Sequence, residues 1–366
     1  MEPERRYALD ALLDALGQPF DESVSVPGEQ LDEVFALLTL ASERDVELDR
    51  HGRPVPPARP PGPRVAELAA GLGLERRGYP GGERFLVALT HDVDLLGGGG
   101  FRTAGRKLAG AVIHRSRRRL REGLTFALDA WAFRDPDYPL DALLDAEDGR
   151  GSTCFFLVRQ EAPQDGYPER YRPALKLALE RTRAAGLEVG LHASYRARER
   201  AGAIAEEALA LGGGPQGLRH HYLRSDPPRL AAECRAAGLR YDSSIGWPSF
   251  PGLRAGTPYP YRLWDAERRE PGAWELPLAV MDATLSEERY LSLAPDEAFD
   301  AAVAALEPVV EHGGAVAILW HPPQHHPRLS RGYDGVYRRL LTWIDAQGGW
   351  AGSAAETLDR WEARRA

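Results

Sequence analysis

From Phe85 onward the apolar residues fall into short runs of strand length, separated by amphipathic stretches of 12 to 18 residues. The runs are 85–90 (FLVALT), 153–158 (TCFFLV), 187–191 (LEVGL), 217–222, 239–242, 275–280 (ELPLAV) and 315–320 (AVAILW). Between them apolar positions recur at helical spacing over 170–185, 197–211, 227–237, 295–312 and 334–346. This alternation predicts parallel strands buried on both faces, each returned to the sheet by a helix. Seven such units in one stretch favour an α/β fold of the deformed (β/α) barrel type, with about seven parallel strands, over a doubly wound sheet.

Upstream the rhythm is different. Tyr7–Leu16 and Leu31–Ala41 carry helical spacing, and Val65–Leu72 reads as a third, shorter helix. The run HGRPVPPARPPGPR at 51–64 lies between the second and the third, and its prolines forbid a regular helix or a central strand. The expected organisation is a small, mostly helical N-terminal domain or cap, residues 1–80, before a barrel over residues 81–366.

One segment breaks the alternation. Residues 95–152 separate the first two strands, more than one helix requires. The segment opens with GGGG at 97–100 and carries Arg102, Arg106, Lys107, Arg115, Arg117, Arg118, Arg119 and Arg121 before its first acid, Glu122. The plain reading is a solvated helix crossing the outside of the barrel. A basic amphipathic helix also offers a peripheral membrane contact, or a contact to an anionic carrier, through 102–121.

Composition narrows the classes. With 366 residues, 43% apolar and 27% charged, the chain has the make-up of an ordinary globular protein with a sizeable core. A net charge of −8 argues against nucleic acid as a partner. Two cysteines, Cys154 and Cys234, cannot form a disulfide scaffold and are read as core residues in a reducing compartment. The start, MEPERRYALDALLDALG, lacks a signal-peptide core, and no stretch approaches the ~18 apolar residues of a membrane span. A cytoplasmic location is the expectation.

The chemistry is concentrated where predicted strands end. His91, Asp92, Val93 and Asp94 follow the first; His192 ends the third; Arg219, His220, His221 and Tyr222 lie in the fourth; Trp320, His321 and Pro322 close the seventh. In (β/α) barrels this rim is where active sites are built. Asp92 and Asp94 are two apart, so on a strand they point to the same side. Two carboxylates that close repel unless a proton or a cation lies between them. A divalent metal, with neutral imidazoles completing its shell, resolves the conflict; zinc accepts such mixed ligands and keeps a position for water. One carboxylate then serves as general base and a histidine on the opposite rim as general acid. The pattern points to metal-assisted hydrolysis.

These residues resemble motifs of the polysaccharide deacetylase superfamily of carbohydrate esterases. LTHDVD (89–94) stands where that family has Thr-Phe-Asp-Asp; STCFFLV (152–158) is similar to its second strand, and EVGLHAS (188–194) to its first metal-binding histidine motif. GLRHHYLR (217–224) resembles its arginine motif and LWHPP (319–323) its closing histidine motif. More narrowly, YDSSIGW (241–247), LRAGTPYPY (253–261), ELPLAVMDATL (275–285) and RDVELDRHGR (44–53) resemble an uncharacterised branch with a short N-terminal domain. The resemblance implies a deformed (β/α) barrel and removal of N- or O-acetyl groups from sugars. It implies Asp92 as catalytic base, Arg219 as the group orienting it, His321 as catalytic acid and His192 as a metal ligand. Two positions depart from the family. Val93 replaces the adjacent second Asp, and Arg196 the second histidine, and an arginine cannot bind a metal. The expected metal ligands are therefore Asp94, His192 and His221, with His220 or His91 as substitutes for the third. Zinc is the expected metal, and a carbohydrate or sugar-conjugate precursor the expected substrate.

Around this set, Trp247, Arg254, Tyr259 and Asp282 are candidates for substrate binding. The aromatic loop 247–264 can stack on sugar rings or pack itself down. Arg254 can hold an anionic group of the substrate or pair with Asp242 or Asp282. Other readings use the same site: another C–N hydrolase, a glycosidase with Asp92 and Asp282 as its carboxylate pair, or a glycan-binding protein without activity.

Overall fold

A computed structural model describes residues 1–365 except 45, 59–60, 98–99 and 133; the side chains of Arg102 and Arg118 are also outside the described set. Two glycines of the GGGG run and two of the basic side chains noted above therefore lie outside the described residues. The strands are β1 (Leu86–Val93), β2 (Thr153–Leu157), β3 (Glu188–Ala193), β4 (Gly217–His220) and β5 (Tyr241–Asp242). They continue with β6 (Tyr261–Asp265), β7 (Glu270–Glu275), β8 (Leu278–Met281), β9 (Ala315–Leu319) and β10 (Trp350–Gly352).

The order across the sheet is β6-β7-β5-β4-β3-β2-β1-β9-β8, with β10 beside the start of β1. All pairs are parallel except the β6–β7 hairpin. Only Leu276 and Pro277 separate β7 from β8. Hydrogen bonds from Leu276 N to Asp242 O and from Leu278 N to Ile245 O hold this junction to the β5 side, and Ala317 N to Pro277 O holds it to β9. One chain segment thus belongs to both ends of the order and curls the sheet into a deformed barrel of seven staves. Sequence periodicity locates all seven. It misses the antiparallel strand β6, all of β7 but its last residue and the short β10, and it runs the fourth strand two residues past its end at His220.

The pleat decides which side chains fill the barrel. On β1, Leu86, Ala88, Thr90 and Asp92 share one face, while Val87, Leu89 and His91 face the outer helices. Inside, the Phe155 ring takes the space that Gly190 leaves, since a Cβ there would come within 2.4 Å of Phe155 Cδ1. The Arg219 guanidinium lies over the same ring at 4.9 Å. This layer floors the site above it.

The N-terminal helices, Pro3–Ala15, Gly28–Leu38 and Arg64–Ala70, share an apolar core with the barrel. Tyr7 packs on Phe35 and on Trp264 of β6, at ring separations of 5.9 and 5.2 Å. The long connection after β1 is three helices, not one: Phe101–Ile113, Arg117–Trp131 and Leu140–Glu147. No helix among the described residues is long and apolar enough to cross a membrane.

Candidate functional site

The C-terminal ends of β1, β3, β4 and β9 open on one cavity of about 370 Å³, lined in part by Asp92, Asp94, His192, His221, Asp282 and His321. Each residue arrives there for a local reason. Asp92 continues the inward face of β1, and Asp94 lies one step beyond the strand on the same side. His192 is the last inward position of β3. On β4 the inward face carries Gly217 and Arg219, so the next inward residue is His221, not His220. Beyond it, Tyr222 and Leu223 adopt the left-handed conformation, with φ of 62° and 55°. Such residues are held there only by their surroundings. Here Arg53, from the N-terminal segment, donates its Nη1 hydrogen to the Tyr222 carbonyl at 2.9 Å.

Asp94 is the hub. Its Oδ1 is 3.1 Å from His192 Nε2 and 3.5 Å from His221 Nε2, and its Oδ2 is 3.5 Å from His321 Nε2. One donor atom each from Asp94, His192 and His221 can be chosen so that all lie within 4.8 Å of one another. Both imidazoles have their other nitrogen engaged: His192 Nδ1 with the Arg219 carbonyl at 2.9 Å, His221 Nδ1 with Asp165 Oδ1 at 2.8 Å. A hydrogen on each Nδ1 leaves the Nε2 lone pair facing Asp94, the tautomer a metal ligand requires. Burial pushes the Asp94 carboxyl up, but the imidazoles of His221, His192 and His321 outweigh it and hold it well below the usual carboxylate range. Burial also works against charge on His192, while Asp92 and Asp94 raise its pKa.

Asp92 lies beside this hub, its Oδ2 3.7 Å from His192 Nε2 and its Oδ1 3.7 Å from Arg219 Nη1. Oδ1 is buried without a hydrogen-bond partner, an acceptor kept open inside the site. Arg219 is anchored through Nη2 to Thr90 Oγ1 at 3.1 Å and Ser243 Oγ at 3.0 Å. Across the cavity, His321 Nδ1 meets Asp282 Oδ1 at 2.6 Å and the His321 backbone N–H donates to Oδ2. Burial disfavours the imidazolium, but Asp282 and then Asp94 and Asp92 push its pKa up to about 10.

The remaining sequence candidates lie elsewhere. His91 points outward, fully buried, with Nδ1 on the Trp320 carbonyl and Nε2 on Glu147. His220 also points out, 3.7 Å from Glu233. Arg196 is exposed and does not line the cavity. Trp247, Arg254 and Tyr259 do not line the cavity. Arg254 is buried over the Trp247 ring and pairs with Glu43 at 2.6 Å, a partner outside the Asp242 and Asp282 considered from sequence. Tyr259 packs on Trp361 and donates to the His312 carbonyl. Asp282 does border the cavity, with both oxygens committed to His321. Burial pushes both thiols, Cys154 and Cys234, up, which leaves them as core residues.

Sequence reasoning missed two contributors. Asp165, fully buried, orients His221, yet nothing around PQDGY marks it out. Arg53 lines the cavity and pairs with Asp49 at 2.6 Å; the likeness of 44–53 to a known segment was the available signal.

No protein-family model and no curated protein matches the chain. Among solved structures it is similar to a protein assigned as a polysaccharide deacetylase from Mycobacterium smegmatis, with TM-score 0.51 and 18% identity over 79% of this chain and 93% of that one. It is also similar to Puue allantoinase, with TM-score 0.50 and 14% identity over 87% and 98% of the two chains. At these identities the likeness shows the fold alone: the chain shares the deformed (β/α) barrel of these structures.

Proposed function

We propose that the protein is a metal-dependent hydrolase that removes an acetyl or related acyl group from a carbohydrate or glycoconjugate. The observation that carries this reading is the convergence of Asp94, His192 and His221 between an open Asp92 carboxylate and the His321–Asp282 pair. One carboxylate and two imidazoles with engaged Nδ1 atoms suit a divalent metal, zinc first, with room for water beside them. Bound there, such a metal supplies Lewis acidity that lowers the pKa of water and polarises the acyl carbonyl.

The chain's own groups do the proton work. Asp92, with Oδ1 uncommitted, takes the proton from water as general base. Arg219, fixed by Thr90 and Ser243, places its guanidinium 3.7 Å from that carboxylate as a counter-charge. His321, protonated at neutral pH by its contact with Asp282, delivers a proton to the departing nitrogen or oxygen. Asp282 orients the imidazole; both of its oxygens are engaged there, which argues against its acting as a glycosidase acid. The deacetylase assignment of the Mycobacterium smegmatis structure supports the sugar substrate. The likeness to allantoinase, with Arg53 and Arg289 on the cavity wall, favours cleavage of a non-sugar amide as the second reading.

Metal analysis of the purified protein and acetate release from acetylated sugars test the proposal. Zinc at about one per chain, with metal and activity lost together in Asp94→Ala and His192→Ala, supports it. Full activity without metal refutes it.

A further inference from the structure

Exposed apolar residues are not spread evenly over this protein. Among the described residues, eight of the seventeen exposed large apolar side chains fall between Leu95 and Trp131. All but Leu95 belong to the hairpin formed by the helices Phe101–Ile113 and Arg117–Trp131. On the second helix Leu120, Leu124, Leu128 and Trp131 follow one another at four, four and three residues, a single stripe. The opposite face, with Phe126, Asp129 and Ala130, is buried. On the first helix Phe101 and Val112 belong to one exposed stripe, and Val112 and Ile113, at 78% and 75% exposure, end the hairpin at its tip.

The charge at the tip is one-sided. Arg106, Arg115, Arg117, Arg119 and Arg121 are exposed, and residues 101–121 contain eight basic and no acidic residues. The hairpin is internally tied, with Lys107 paired to Glu122 and lying over the Phe126 ring. Its second helix is also fixed to the barrel rim, since Asp129 Oδ2 meets His326 Nε2 at 2.9 Å. His326 follows Pro323 and Gln324 of the cavity wall, and Leu95, at the hairpin's other root, lines the cavity too.

We propose that this hairpin docks the protein on an anionic phospholipid surface, with the apolar stripes and tip in the interface and the arginines on the headgroups. Exposed Leu, Val, Ile, Phe and Trp on a helix bordered by Arg is the composition of an interfacial helix. A patch of this kind on a folded protein marks a contact surface. A second copy of the chain fits it less well, because pairing would bring two acid-free basic tips together. Nucleic acid would use the arginines and leave the leucine stripe unburied. The inference is independent of the chemistry in the cavity; it places the cavity mouth beside the bilayer.

The test is co-sedimentation of the full-length protein with vesicles of phosphatidylcholine alone and of phosphatidylcholine with phosphatidylglycerol. Binding is expected to the anionic vesicles only and to weaken as salt is raised. The variant with Arg115, Arg117, Arg119 and Arg121 changed to Gln is expected to lose roughly several hundred-fold in partitioning, at about fivefold per charge. The variant Leu124→Ser, Leu128→Ser, Trp131→Ser is expected to lose binding as well. Circular dichroism and melting temperature should stay at wild-type values, since all these side chains are exposed. Leu177→Ser and Leu209→Ser, exposed elsewhere, should leave binding unchanged. No binding to either vesicle, equal binding to both, or full binding by the serine variant overturns the proposal. So does a dimer in sedimentation velocity that the serine variant dissolves, which would assign the face to a second copy.

Discussion

Replacing Asp165 by asparagine should weaken metal binding without touching a metal ligand. Asp165 is fully buried and accepts four hydrogen bonds. Tyr195 N and His221 Nδ1 donate to Oδ1, both at 2.8 Å, and Glu161 N and Ala162 N donate to Oδ2 at 3.1 and 3.0 Å. An asparagine offers one oxygen where the aspartate offers two, and its NH₂ must then face two buried donors. If the oxygen stays with His221, the amides of Glu161 and Ala162 lose their acceptor, at about 1–3 kcal/mol each. The folded protein should therefore lose about 2–6 kcal/mol in urea melts of the metal-free form. The remaining bond to His221 is neutral, so the imidazole is less firmly oriented. Losses of this kind cost about 10–100-fold in metal affinity, or about 1.4–2.8 kcal/mol. Competitive zinc titration against a chelator measures that loss separately from the stability loss. A folded Asp165→Asn protein that binds zinc as tightly as wild type would refute the assignment of His221 as a ligand oriented by Asp165.

Other substitutions probe different parts of the molecule. Asp92→Asn and His321→Ala should each lower acetate release about 10²–10⁴-fold while retaining zinc; loss of metal in either would move that residue into the ligand set. Asp282→Asn should shift the alkaline limb of the kcat–pH profile downward, toward the ordinary histidine value near 6.5. The sign follows from a pKa raised to about 10 in the folded protein. Its stabilisation is full below about pH 6.5 and is lost as pH rises through 10. An unmoved limb would exclude His321 as the titrating acid. Glu43→Ala should destabilise the fold by about 3–5 kcal/mol, because Arg254 is left buried without its counter-charge; a urea midpoint near wild type would show that water reaches the guanidinium. Gly190→Ala should cost about 1–3 kcal/mol by overpacking Phe155, and a thermal melt at the wild-type temperature would show that the ring has room to move.

The inward side of β1 could be read from spacing alone, because successive strand residues alternate faces. Asp92 and Asp94 share a side by that rule, and the same rule turns His91 outward onto Glu147. It could not choose between His220 and His221. That choice depends on the register of β4 beside β3, where His192 pairs with Arg219 and the next inward position is His221. Substrate candidates chosen for being aromatic or basic in a loop fared differently. Trp247, Arg254 and Tyr259 have the chemistry for sugar or anion contact, but their side chains are consumed in packing the N-terminal segment and the C-terminal helix against the barrel. Their pattern in sequence is the same for either use.

What the sequence determined by itself was periodic and local: seven buried staves, the helices between them, the face each strand residue takes, and a rim crowded with Asp and His. The tertiary structure decided what no local rule reaches. It brought Asp165, from the loop after β2, against His221, and Arg53, from before the barrel, under the strained Tyr222–Leu223 turn. It also joined β7 and β8 into the stave that closes the ring. These contacts link residues far apart in the chain, 56 positions for Asp165 and His221 and 169 for Arg53 and Tyr222. Periodicity fixes a side chain's direction relative to its own strand or helix. Which group stands opposite is fixed only when burial of the apolar faces folds those elements together.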